Sequence, residues 1–272
     1  MTTWSVAARL KAAARAGYNI FAHAFGRPLG WGYGWLLFTQ QSRKRCYVPM
    51  SVAVGYFKDA LTMELDPRQI SRRVPYAFRE IQHDFKPCFV WNGDWDVEAE
   101  SIDDDPRFID MSELASNESY QKTRAYTRMV IAAREGRPEW RQRVVLRSVR
   151  EIEEYFESKV RLLASLRSAG YKSQAELGRR GDEIGIAVGR NGELLKYFQG
   201  HHRLALSKVI GLDSVTVTVQ MVHTMWVEGS CARYSGHPMV AIRKGLVDLA
   251  MANPPPAPTR PTEQWRRGES NP

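Results

Sequence analysis

Hydrophobic and polar positions alternate most regularly in SVTVTVQMVHTMW (214–226). Val215, Val217, Val219, Met221 and His223 fall on one face, and Thr216, Thr218 and Gln220 on the other, which is the period of a strand. IGIAV (184–188) and LLKYF (194–198) read as two further strands joined by the hairpin-turn signal GRNG (189–192). Gly200, His201, His202 and Arg203 come next, followed by a short helix LALSKVI (204–210) closed by Gly211. A longer helical stripe precedes this group, in VREIEEYFESKVRLLASLRSAGY (149–171). Ile152, Tyr155 or Phe156, Val160, Leu163 and Leu166 or Arg167 trace one face, with Gly170 placed to cap the C-terminus.

The remainder is less regular. Trp4, Ala7, Ala14, Tyr18, Phe21 and Phe25 recur at helical spacing, and the Gly- and aromatic-rich FGRPLGWGYGWLLF then breaks that helix. Residues 59–90 mix short helical and loop pieces, CFVWNGDWDVEAESID (88–103) is extended around an Asn-Gly turn, and DDDPRFIDMSE (103–113) is an acidic loop. Residues 118–134 are helical, and NPPPAPTRPTEQWRRGESNP (253–272) has the composition of a disordered tail. The fold class expected is α+β: a small mixed sheet with short helices in residues 90–230, preceded by a helical N-terminal region. The chain divides into a basic N-terminal region (1–58), a lead-in (59–149), a core (150–230), a C-terminal helix (231–252) and the tail.

Composition narrows the classes of function. With 43% hydrophobic and 25% charged residues in 272, the chain is ordinary globular protein. No apolar run approaches the ~20 residues of a membrane-spanning helix. Three widely spaced cysteines (Cys46, Cys88, Cys231) argue against a disulfide framework or a CxxC zinc site, and suit a reducing, cytoplasmic setting. The net charge of +9 is unevenly placed: residues 1–58 hold eight Lys or Arg and no Asp or Glu, whereas residues 59–252 carry 28 of each sign. A basic, aromatic segment over residues 1–40 suits an anionic membrane surface, here the inner face of the membrane. The alternatives are that its apolar stripe packs on the protein's own body, or that it is a targeting peptide.

The chemistry concentrates at Gly200–Arg203. The first N–H groups of a helix lack internal partners and carry the positive end of its dipole. Gly200 lets a ligand approach the backbone, Arg203 offers a planar fork to phosphate oxygens, and a histidine adds a hydrogen bond or a proton. A phosphate clamp accounts for all of these residues together. A metal site fits less well, since adjacent histidines point apart and no carboxylate sits at ligand spacing. A histidine satisfied by backbone carbonyls is the bland alternative for one of the pair. Asp182 and Glu183, at the head of the first core strand, and Asp94 and Asp96 of NGDWD could position an acceptor or Mg²⁺, though each is more often a solvated turn residue.

FQGHHRLALSKVIGLDSVTVTV (198–219) resembles the nucleotide-binding core of the ParB/sulfiredoxin superfamily, whose members share a Gly-x-x-Arg turn, a short helix and an alternating strand. The similarity covers roughly residues 150–226. Sulfiredoxins place a catalytic cysteine where His201 stands, so the resemblance does not imply sulfinic-acid repair. Chromosome-partitioning members carry an acidic residue there and a helix-turn-helix domain after the core, for which residues 227–252 leave no room. The Gly-His-His-Arg wording is nearest to the superfamily's small-molecule kinases. By that resemblance His202, next to Arg203, belongs to a phosphate site with Gln199, Gly200 and Arg203, and His201 either supports that site or lies on the acceptor side. Gln199 stands where those kinases have an aspartate, and glutamine cannot take a proton.

The resemblance implies ATP, ADP or CTP with Mg²⁺ as cofactors. The function expected is a nucleotide-dependent phosphotransferase or nucleotide hydrolase, acting on a hydroxyl of a small molecule or of a membrane-surface acceptor such as a lipid-linked glycan. Asp182, Glu183 and His201 are then the catalytic candidates. The alternative classes are a nucleic-acid-binding protein or nuclease that uses nucleotide as a switch, its acid-free arm making phosphate contacts, and an interaction protein without catalysis.

Overall fold

A computed structural model describes residues 46–78, 88–141, 144–178 and 183–255, with positions 25, 28, 29 and 32. The expected N-terminal helix over residues 1–25, the candidate Asp182 and all but the first residues of the tail therefore lie outside the described residues. In chain order the elements are β1 (Cys46–Pro49), α1 (Met50–Phe57), β2 (Thr62–Leu65), β3 (Arg72–Arg73), β4 (Cys88–Trp91), β5 (Glu100–Ser101), α2 (Pro106–Ser116) and α3 (Arg124–Arg134). There follow the hairpin β6 (Glu139–Arg141) and β7 (Val144–Leu146), α4 (Val149–Ala169), β8 (Ile184–Val188), β9 (Leu194–Lys196), α5 (His201–Val209), β10 (Val215–His223), α6 (Thr224–Tyr234) and α7 (Pro238–Ala252).

The class is α+β, with a mixed sheet and short helices. The sheet runs β1-β4-β10-β8-β9-β3-β5, and β2 joins it through β10. β10 pairs in parallel with β8 along one edge; its other edge takes β2 antiparallel at Val215–Thr218 and β4 parallel at Val222–His223. The sheet is wider than sequence suggests, because β1, β2 and β3 come from residues before 90. These strands are two to four residues long, too short to display a period.

β10 is the centre of the core. Val215, Val217 and Val219 pack with Ile184, Ile186 and Val188 of β8 beneath α1 and α7. The pairing then slips, from Val219 opposite Ile186 to Met221 opposite Ala187, leaving Gln220 as a bulge. Met221 consequently turns to the opposite cluster, with Ala187, Leu195, Trp91 and Trp95, while Val222 takes the valine face. The alternation read over Val215–His223 therefore holds only to Val219. His223 follows Met221, its ring 5.6 Å from that of Trp95.

A second core sits under the helices, where Met111, Met129, Ile152, Phe156, Leu163, Leu166 and Leu206 meet. α4 begins with a capping box, Ser148 with Glu151, and ends at Gly170 as expected. Its buried stripe runs through Lys159 rather than Val160, which is 40% exposed. The acidic segment expected as a loop is in fact α2. Asp105 caps it by accepting from the Arg107 N–H at 2.8 Å, and Pro106 supplies a preset φ at the first helical position. Cys88 is disulfide-bonded and Cys231 is free, so the reduced state expected of the cysteines does not extend to Cys88. Spacing along the chain could not show this, because pairing depends on which strands the sheet makes neighbours. Among the described residues no helix is long and apolar enough to cross a membrane.

Candidate phosphate site at the start of helix α5

The β8–β9 hairpin delivers the chain to α5 through a tight corner. The Lys196 side chain is wholly buried, and its ammonium donates to the carbonyls of Gly185 and Tyr197 at 3.1 Å each and to that of Phe198. Gln199 (φ +44°) and Gly200 (φ +71°) then take two successive left-handed conformations. A Cβ at residue 200 would stand 2.8 Å from Ile184 Cα, so glycine is required by the approach of β8 as well as by φ. Gln199 is exposed.

α5 starts at His201, earlier than the pattern suggested, with Gly200 as its N-cap. Consecutive residues in a helix point about 100° apart, so the three side chains diverge. His201 Nδ1 lies 3.8 Å from Asp105 Oδ2. Asp105 is itself buried, accepts from Tyr76 Oη at 2.8 Å and lies 3.7 Å from Arg73 Nε. His202 turns to α4, its Nε2 3.0 Å from Tyr155 Oη. Arg203 turns to the head of β8, where its guanidinium donates to Glu183 at 3.1 Å and to Tyr171 Oη at 3.0 Å. Glu183 also accepts from Tyr171 Oη at 2.9 Å and from the Gln174 N–H.

His202 has the most unusual environment. Burial, and then the positive charges of Lys159, Arg107 and Arg141, push its pKa down to about 3. Burial alone brings Lys159 down to about 8, and its ammonium lies 4.8 Å from the Tyr155 ring centroid. Burial also lifts Tyr155 to about 12, so phenol and imidazole are both neutral at pH 7 and share one hydrogen bond. Arg107 comes from the first turn of α2 and lies 5.4 Å from the Tyr76 ring. Arg141 is tied to Glu139 at 2.8 Å and to Asp110 at 3.4 Å. Three cations from three elements thus act on His202 in the first turn of α5, Arg141 being already paired with Glu139 and Asp110.

The other candidates are placed elsewhere. Asp96 is buried and bound by Arg190 at 2.8 Å, which also holds exposed Asp94 at 2.8 Å. Burial raises the Asp96 pKa but the Arg190 hydrogen bonds outweigh it, leaving the carboxyl below its usual range. His223, 3.9 Å from Asp96, donates from Nε2 to the Gly93 carbonyl at 2.7 Å, while Nδ1 accepts from the Met225 N–H at 3.0 Å. That arrangement satisfies both ring nitrogens and caps α6. Among the described residues no three His, Cys, Asp or Glu side chains are grouped to hold a metal ion.

Lys159, Arg107, Arg141 and Asp105 were not legible as site residues. The one available signal was Lys159 itself, a charge in the middle of the apolar stripe Ile152, Phe156, Leu163. Comparison with protein-family models, curated proteins and solved structures gives no match to this chain.

Proposed function

We propose that the chain binds a nucleoside di- or triphosphate at the start of α5 and acts as a nucleotide-dependent phosphotransferase. The observation that carries this reading is the Gly200 corner, which opens α5 with His201, His202 and Arg203 in its first turn, where Lys159, Arg107 and Arg141 act on His202. Cations and a helix dipole aimed at one point favour a phosphate group there. Such preorganised charge is also what stabilises a transferring phosphoryl group. Arg203 is held by Glu183 and Tyr171, so it would share its fork with the ligand. His201 beside Asp105 supports the role that Gln199 cannot take: accepting the proton of an acceptor hydroxyl as its oxygen bonds to phosphorus and the leaving phosphate departs. The carboxylates of Asp96 and Glu183 are committed to arginines, so Mg²⁺ would enter on the nucleotide.

Calorimetric titration of ATP, ADP and CTP, with and without Mg²⁺, tests the reading. We expect at least one to bind, and Arg107→Ala to weaken it ~10–150-fold, the worth of one charge-assisted hydrogen bond of roughly 1.5–3 kcal/mol. No binding by any of the three sinks the proposal.

Lys159→Met gives a sharper check. A lysine whose folded pKa lies below its unfolded value destabilises the fold at pH 7, where both states are charged, so its removal should stabilise the protein by about 1–3 kcal/mol. Greater stability with lost nucleotide affinity is the expected pair of results, the trade typical of a binding group. Retained affinity in the stabilised variant would remove Lys159 from the site.

A further inference from the structure

On the outer face of the sheet lies a groove of about 540 Å³, floored by Thr216, Thr218 and Gln220 of β10 and by Thr62 and Glu64 of β2. Residues Ser173–Glu176 form one wall and Glu183 closes one end. The floor consists of two cross-strand pairs, Thr216 with Glu64 and Thr218 with Thr62. None of these four side chains makes a hydrogen bond within the described protein. Gln220 lies across Gly185, where a Cβ would stand 2.3 Å from its Oε1, and that oxygen is buried with no donor among the described residues.

The lining fixes the chemistry of an occupant. Among the described lining residues the charged members are Glu64, Glu176 and Glu183. Carboxylates only accept hydrogen bonds, so the occupant must donate them, and a phosphate or carboxylate would be repelled. Threonine hydroxyls can both give and receive, which suits hydroxyl groups. Glu183 is neutralised by Arg203 at 3.1 Å, and Glu176 accepts from Ser173 with Lys172 nearby, which leaves Glu64 as the carboxylate on the groove floor that favours an amine.

We propose that this groove binds a polyhydroxylated small molecule of the sugar or polyol class, with preference for one carrying an amine. Through Glu183 and Arg203 the groove adjoins the first turn of α5. The bound compound's role as phosphoryl acceptor rests on the reading above; its binding does not.

The test is ligand-observed NMR and calorimetry on the full chain with D-glucosamine, D-glucose, myo-inositol and glucose 6-phosphate. D-glucosamine should bind more tightly than D-glucose or myo-inositol, and glucose 6-phosphate more weakly than any of them. The double substitution Thr216→Val with Thr218→Val keeps shape and strand propensity but removes two hydroxyls, and should weaken D-glucosamine at least ~10-fold. Glu64→Gln, on an exposed position, should narrow the gap between D-glucosamine and D-glucose. Failure of all four compounds to bind overturns the proposal. So does D-glucosamine binding left unchanged by both the double substitution and Glu64→Gln. Sugar binding without nucleotide binding would leave the groove standing and remove phosphotransfer; the opposite pair of results would do the reverse.

Discussion

Replacing Lys196 by methionine is expected to cost the fold about 3 kcal/mol or more, seen as a fall of roughly 10 °C in melting temperature. The side chain has no exposed surface, yet its ammonium is fully used by three carbonyl oxygens, two of them at 3.1 Å. Hydrogen bonds to a charged donor contribute roughly 1.5–3 kcal/mol each, and a buried acceptor stripped of its donor pays its own desolvation. Methionine matches the volume of the lysine stem, so packing is nearly conserved and the loss isolates the polar term. The consequence should also be local. With the carbonyls of Tyr197 and Phe198 released, the corner that sets Gln199 and Gly200 left-handed is left with backbone links such as that from the Gly185 N–H to the Gln199 carbonyl at 3.4 Å, and the start of α5 should loosen. Urea unfolding together with amide exchange at residues 200–204 would check this. A melting temperature within 2–3 °C of the wild type would show that water replaces the ammonium at little cost.

Lys196 also shows where sequence reasoning stops. The strands at 184–188 and 215–223, the hairpin between β8 and β9, and the helix over 149–169 were legible, because each repeats its period often enough to separate 2.0 from 3.6 residues. α2 was missed despite a cap that sequence displays, Asp105 followed by Pro106, because its acidic and apolar residues give only a weak stripe. The bulge at Gln220 was invisible. Nothing in the string VTVTVQMVH distinguishes a continued alternation from one that slips by a residue, since the slip is decided by the partner strand. At the candidate site the turn was found, but not what it faces. His201, His202 and Arg203 are neighbours in sequence, and their helical placement sends them to α2, α4 and β8 respectively. The partners Asp105, Tyr155 and Glu183 lie 96, 47 and 20 residues away, at separations that only the folded topology brings together.

His202 should make the fold acid-labile at a pH where carboxylates are still ionised. In the unfolded chain its imidazole titrates near 6.5, while burial and the neighbouring Lys159, Arg107 and Arg141 push the folded value down to about 3. Between those values the unfolded state binds a proton that the folded state refuses, so stability falls as the pH is lowered. The slope approaches about 1.4 kcal/mol per pH unit, giving a loss of roughly 2–3 kcal/mol by pH 4.5 relative to pH 7. Carboxylates with lowered pKa, such as Asp96, contribute their losses only below about pH 4, so the two windows separate. His202→Gln supplies the control: its amide can still hydrogen-bond with Tyr155 Oη, but it does not titrate. Urea midpoints at pH 7, 5.5 and 4.5 should fall steeply for the wild type and stay nearly level for the variant. Parallel curves would mean that His202 is protonated in the folded protein near its ordinary pKa.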